Sequence, residues 1–86
     1  MKPPALLRLL DHYHRRSGLS YQGLAEELTA RQGPTSRMVA YNRIRHGAGV
    51  RPDVLRAFCG IWSLSEGERR ELFEAAGYLV ILSEEG

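Results

Sequence analysis

The sequence predicts an all-α fold: one compact domain of five helices, followed by a short C-terminal extension. Apolar residues recur at helical spacing in five stretches, and glycine, proline or a capping residue separates each stretch from the next. A chain of 86 residues with 43% apolar residues is sufficient for one modest core. We predict a domain over residues 1–77 and the extension over residues 78–86.

The first two helices are bounded by glycines and by a serine. The leucine-rich N-terminal segment predicts a helix over about 4–17 that ends at Gly18. Ser20 is a favourable N-cap for a second helix over about 20–32. Gly33-Pro34 stops that helix.

The third helix has two candidate N-caps. Either Thr35 or Ser36 can accept a hydrogen bond from the first free backbone N–H groups. The helix then runs to His46 and ends before Gly47, a residue suited to the left-handed C-cap conformation.

The fourth and fifth helices carry clearer start signals. Pro52 opens the fourth helix, since proline is tolerated in a first helical turn. Ser65, followed three residues later by Glu68, predicts a capping box for the fifth helix, which ends at Gly77.

The extension begins with an aromatic and β-branched run at residues 78–82. Such a run after a helix stop predicts a strand, which would pair with its copy in a second chain because this chain offers no other strand. The alternatives are a continuation of the fifth helix and a coil over the core. The strand hypothesis assigns dimerisation to Tyr78, Val80, Ile81 and Leu82.

Charge is distributed unevenly along the chain. Residues 1–60 hold ten Lys/Arg and four acids, whereas residues 61–86 hold two Arg and six Glu. Residues 28–52 contain five arginines and no acid. This asymmetry predicts a polyanionic partner for the basic part.

Several function classes find no support in the residues. No apolar run is long enough for a bilayer span, no signal peptide is recognisable, and the single Cys59 fits a reducing cytoplasm. His12 and His14 fall on different helix faces, so we predict no metal site. No nucleophile–base pair indicates an enzyme, and we expect no cofactor.

The second and third helices together predict a helix-turn-helix, with a small residue, Ala25, where the two cross. Tyr41 and Ile44 are expected to anchor the third helix to the core. The residues expected to point outward from it are Ser36, Val39, Asn42, Arg43 and His46.

With these features the chain resembles the Xre/Cro-repressor family of helix-turn-helix regulators over about residues 5–78. The matching segments are Gly18-Leu19-Ser20, Gly23-Leu24-Ala25-Glu26-Glu27-Leu28, Asn42-Arg43-Ile44-Arg45-His46-Gly47, Pro52, Leu55, Phe58, Glu68-Arg69, Leu72 and Ala75-Ala76-Gly77-Tyr78. One departure is the distance from Ala25 to Gly47, which is longer than the family usually has. We place the additional residues at Thr29–Thr35, as an extra turn of the second helix and a longer connection.

The resemblance implies DNA contacts of two kinds. The expected base readers are Ser36, Arg37, Val39, Asn42 and Arg43. The expected phosphate contacts are Tyr21, Gln22, Arg31, Arg45, His46 and Arg51. Asn and Arg suit this role because they make bidentate contacts with adenine and guanine. Val39 would meet a thymine methyl group or else lie half-buried.

The sequence therefore predicts a cytoplasmic, sequence-specific binder of double-stranded DNA that regulates transcription as a homodimer on a pseudo-palindromic operator. The alternative is a protein-interaction subunit, antitoxin-like or anti-repressor, that keeps the fold without reading DNA. RNA binding lacks the exposed aromatic platform that single strands require.

Overall fold

Five helices account for most of the chain in a computed structural model that describes residues 4–78. They are α1 (Pro4–Ser17), α2 (Tyr21–Gln32), α3 (Arg37–His46), α4 (Pro52–Ile61) and α5 (Glu66–Ala75). The predicted all-α class is confirmed, and no strand occurs within residues 4–78. No helix in this range is long and apolar enough to cross a bilayer. The residues assigned to a strand at Val80, Ile81 and Leu82 lie outside the described range.

Serine side chains begin three of the five helices. Ser20 Oγ accepts the N–H of Gly23 at 2.9 Å, and Ser36 Oγ accepts the N–H of Val39 at 3.2 Å. Ser36, rather than Thr35, is therefore the N-cap of α3. Ser65 forms the predicted capping box at the start of α5. These bonds satisfy backbone donors that a helix N-terminus otherwise leaves free.

The connection between α2 and α3 is held by the side chain of Thr29. Its Oγ1 accepts the N–H of Thr35 at 3.0 Å and lies 3.2 Å from the carbonyl oxygen of the same residue, to which it donates. The Thr35 hydroxyl in turn donates to the carbonyl of Gly33 at 2.9 Å. The connection is thus a hydrogen-bonded turn that fixes where α3 begins.

Small residues lie where α2 and α3 pack together. Ala25 on α2 is 2% exposed and Ala40 on α3 is fully buried, with Leu28 and Ile44 beside them in the core. The prediction for Ala25 and Ile44 is confirmed. The prediction for Tyr41 is wrong, because its side chain remains 39% exposed. Ala40 and Ile44, four residues apart, form the buried face of α3 instead.

The remaining helices complete the core around an aromatic stack. Phe58 and Trp62 of the α4 region stack with ring centroids 4.6 Å apart. Arg16 at the end of α1 donates to Glu68 of α5 at 2.7 Å. This bond, together with the capping-box bonds to Ser65, lowers the pKa of Glu68 to about 2. The ion pair therefore joins the end of α1 to the start of α5.

The tight packing of Ala25 yields a stability prediction. Ala25→Leu forces a larger side chain between α2 and α3 and should lower the free energy of unfolding by about 1–3 kcal/mol, measured by urea denaturation. Ala30→Leu is the matched control, since Ala30 lies on the same helix and is exposed. Equal stability of the two variants would show that α2 and α3 are not closely packed at Ala25.

Candidate nucleic-acid interface

The outer side of α3 is a solvent-exposed surface without acidic residues. Arg37, Arg45 and His46 are all exposed, and no Asp or Glu occurs in the helix. Gly47 ends the helix in the left-handed conformation at φ 66°, and its N–H donates to the Arg43 carbonyl at 3.0 Å. The helix α3 is therefore short and cationic, and caps fix both its beginning and its end.

Apolar side chains share this surface with the cations. The large hydrophobic residues that are exposed within residues 4–78 are Met38 at 62%, Val39 at 40% and Tyr41 at 39%, and all three belong to α3. Sequence reasoning missed Met38. A signal was available, because Met38 lies four residues before Asn42 and so projects from the same side of the helix.

The N-terminus of α2 lies beside the first turns of α3. The rings of Tyr21 and Tyr41 meet edge-on with centroids 5.1 Å apart, and together with Arg37 and Met38 they line a groove of about 300 Å³. Gln22 is exposed next to Tyr21. The structure therefore brings the predicted contacts Tyr21 and Gln22 together with the start of α3.

Arg43 does not project freely from α3. Its side chain is half-buried, and its Nη1 atom is buried without a hydrogen-bond partner. Burial lowers the pKa of Arg43, and the nearby charge of Arg51 lowers it further, against an opposing effect of Asp53. Asn42 is also half-buried. The expectation that Arg43 points freely outward is wrong, whereas Asn42 keeps part of its surface exposed.

Two arginines predicted to contact phosphates have acidic neighbours. Arg51 Nε lies 3.6 Å from Asp53 Oδ1, in an exposed pair. Arg31 lies 3.9 Å from Glu27, and its guanidinium borders α4 so closely that a Cβ added at Gly60 would stand 3.2 Å from Nη1. Arg51 is therefore paired with Asp53, whereas the Arg31 guanidinium lies against Gly60 of α4.

A buried histidine supports Tyr21 from behind. The rings of His14 and Tyr21 stack with centroids 4.7 Å apart, and His14 is only 6% exposed. Its Nδ1 atom is buried and has no hydrogen-bond partner. Burial lowers the pKa of His14, while the charge of Asp11 acts in the opposite direction. The stack thus links the core of the domain to the groove between α2 and α3.

Tyr78 packs on the domain itself. Its N–H donates to the carbonyl of Phe73 at 3.0 Å, and its hydroxyl lies 3.5 Å from the carbonyl of Val50 in the α3–α4 connection. The side chain is half-buried against the core. Within the described residues, Tyr78 closes the end of α5 rather than opening a strand.

A scan of protein-family models and searches of curated proteins and of solved structures return no match to this chain. The features that bear on function are the exposed, acid-free face of α3, the N-terminus of α2 beside its first turn, and the exposed Arg45 near its end.

Burial of His14 predicts a pH-dependent stability. Because the folded-state pKa lies below the ordinary 6.5, the unfolded chain takes up the proton first as the pH falls. Stability is then fully present above about pH 6.5 and decreases as the pH falls below it. Urea midpoints between about pH 7.5 and 5.5 should show this decrease.

The variant His14→Phe keeps a ring against Tyr21 and should show a weaker pH dependence than the wild type. His12→Gln, at an exposed position of the same helix, is the control and should behave as the wild type. The same pH dependence in His14→Phe as in the wild type would mean that the buried imidazole is not its source.

Proposed function

We propose that this chain binds double-stranded DNA in a sequence-specific manner, with α3 in the major groove, and regulates transcription. The observation that carries the proposal is the exposed face of α3, which has no acid and carries Arg37, Arg45 and His46, while Ala40 and Ile44 form the buried face of the same helix. A helix of this kind fits the width of the major groove. We place the protein in the cytoplasm, which suits its single buried Cys59.

The first half of α3 is suited to read bases. In helix-turn-helix proteins the N-terminal residues of the second helix contact base edges. Here these are Ser36, Arg37 and Val39, all exposed, with Asn42 one turn later. Arg37 has no ion-pair partner among the described residues, so its guanidinium is available for the two acceptors of a guanine.

Phosphate contacts are proposed on both sides of this helix. Tyr21 and Gln22 begin α2, where free N–H groups and the helix dipole favour an anion. Arg45 and Arg51 supply positive charges around the end of α3, and His46 adds an exposed imidazole. Arg31 is a weaker candidate, because its guanidinium already lies against Glu27 and Gly60.

For Arg43 the structure favours a phosphate rather than a base. Its side chain is half-buried, one buried N–H direction has no partner, and the charge of Arg51 helps to lower its pKa. An anion bound beside Arg43 and Arg51 would be stabilised by both positive charges. We therefore reassign Arg43 from base reading to the DNA backbone.

We further propose that two copies bind a pseudo-palindromic operator. One domain of this size makes few phosphate contacts, and useful affinity then requires a second half-site. Tyr78 is occupied by its own domain, so a dimer contact in the extension would begin after it. The predicted contact through Val80, Ile81 and Leu82 stays a prediction outside the described residues.

A protein-interaction subunit is the second candidate, and the exposed apolar residues favour it. Met38 and Tyr41 line a groove with Tyr21 that a hydrophobic side chain of a partner protein can enter. This subunit would bind neither specific nor random DNA. The two candidates therefore differ in one direct measurement.

The measurement is a mobility-shift titration on duplex DNA from about 50 to 200 mM salt. DNA binding predicts a log-linear loss of affinity with rising salt, because each neutralised phosphate releases counterions. Arg45→Ala should weaken binding on all sequences and reduce the salt slope by about one. Arg70→Ala on α5 is the matched control and should change neither quantity. Absence of binding at the lowest salt would reject the proposal.

A second comparison separates Arg37 from Arg43. On an operator enriched from random duplexes, Arg37→Ala should cost about 1–3 kcal/mol, with a much smaller loss on random DNA. Arg43→Ala should cost similar amounts on both, as expected of a backbone contact. If Arg43→Ala changes the sequence that is enriched from random duplexes and Arg37→Ala does not, then Arg43 reads bases and Arg37 contacts the backbone.

A further inference from the structure

We infer that this interface recognises the 5-methyl group of pyrimidines, above all thymine, through Met38 and Val39. The inference rests on the proposed function and adds the chemical feature of the DNA that the apolar part of α3 would select. It gives a role to Met38 and Val39, whose exposure is not explained by contacts between cationic side chains and phosphates.

The two residues occupy the part of α3 that reaches base edges. Met38 and Val39 follow Arg37 as the second and third residues of the helix. The first turn is fixed, because Ser36 Oγ accepts the N–H of Val39 at 3.2 Å. Val39 is branched at Cβ and has few rotamers, so its methyl groups are presented in a defined direction.

Thymine supplies the matching group. Its 5-methyl is the apolar feature that a base pair displays in the major groove, and apolar side chains contact it there. Met38 is 62% exposed and Val39 is 40% exposed in the free protein, so both have apolar surface to bury on binding. Met38, with three rotatable bonds, can adapt its position while Val39 cannot.

The surroundings favour DNA over a protein as the occupant. Arg37 precedes the apolar pair, Arg45 and His46 follow on the same helix, and α3 has no acid. This cationic border complements a phosphate backbone. A stable protein interface also buries about 800 Å² on each partner, far more than a methionine, a valine and one tyrosine edge expose.

Thymine and 5-methylcytosine carry the same methyl group, and uracil lacks it. The probe is the operator that the wild-type chain enriches from random duplex DNA, prepared with thymine or with uracil at single positions. At one or two positions within each half-site, replacement by uracil should weaken binding about fourfold, the factor that corresponds to one buried methyl-sized group. Uracil outside the half-sites is the control.

Two variants connect the effect to the protein. Val39→Ser removes both methyl groups of the side chain, while Met38→Gln keeps the length of its side chain and replaces the thioether by an amide. Each should bind the thymine and uracil operators equally at the position that its residue contacts. Both positions are exposed, so thermal melting should match the wild type. Arg45→Ala is the matched control, because it should weaken both operators and keep the fourfold ratio.

A last substitution identifies the source of the methyl group. At the sensitive position, an operator with 5-methylcytosine should bind more tightly than one with cytosine, because only the first carries the methyl group. If the protein also reads the rest of the base, the operator with thymine should bind more tightly than either.

Equal affinity for thymine and uracil at every position overturns the inference while leaving DNA binding intact. Failure to bind any duplex removes the proposed function and the inference with it. A thymine preference that Met38→Gln and Val39→Ser leave unchanged assigns the contact to other residues and also overturns the inference.

Discussion

The orientation of α3 depends on its close packing against α2. Ala25 and Ala40 allow the two helices to approach, and Thr29 fixes the connection through its bonds to Thr35. The proposed DNA contacts on α3 depend on these residues, because a short helix has little stability of its own and is held in place by tertiary packing. A bulkier residue or a looser connection would turn the cationic face away from the surface formed with Tyr21.

The cationic face of α3 suits the anionic partner that we propose. Arg43 is half-buried, and the charges of Arg51 and Asp53 act on its pKa in opposite directions. Among the described residues, Glu68 joins α5 to Arg16, while Asp53 lies 3.6 Å from Arg51 and accepts a bond from Gln32. No acid lies within α3, so its outer face stays cationic.

Much of the fold could be predicted because its signals are local. Ser20, Ser65 and Gly47 act at helix ends as their chemistry indicates. The rotation of α3 about its axis could not be predicted, since Ala40 and Tyr41 are neighbours and only packing on α1 and α2 decides which is buried. The partial burial of Arg43 likewise depends on tertiary packing. Met38 was missed because the charge pattern that identified the exposed face of α3 gives no signal for an apolar residue on that face.

The most direct measurement of the central claim is an NMR titration of the labelled chain with a short duplex. The account predicts that backbone amide shifts change for Ser36–His46 and for the start of α2 at Tyr21 and Gln22, while the exposed face of α5 stays unchanged. Changes concentrated on α5, or no changes at low salt, would contradict the assignment of α3 as the DNA-binding helix.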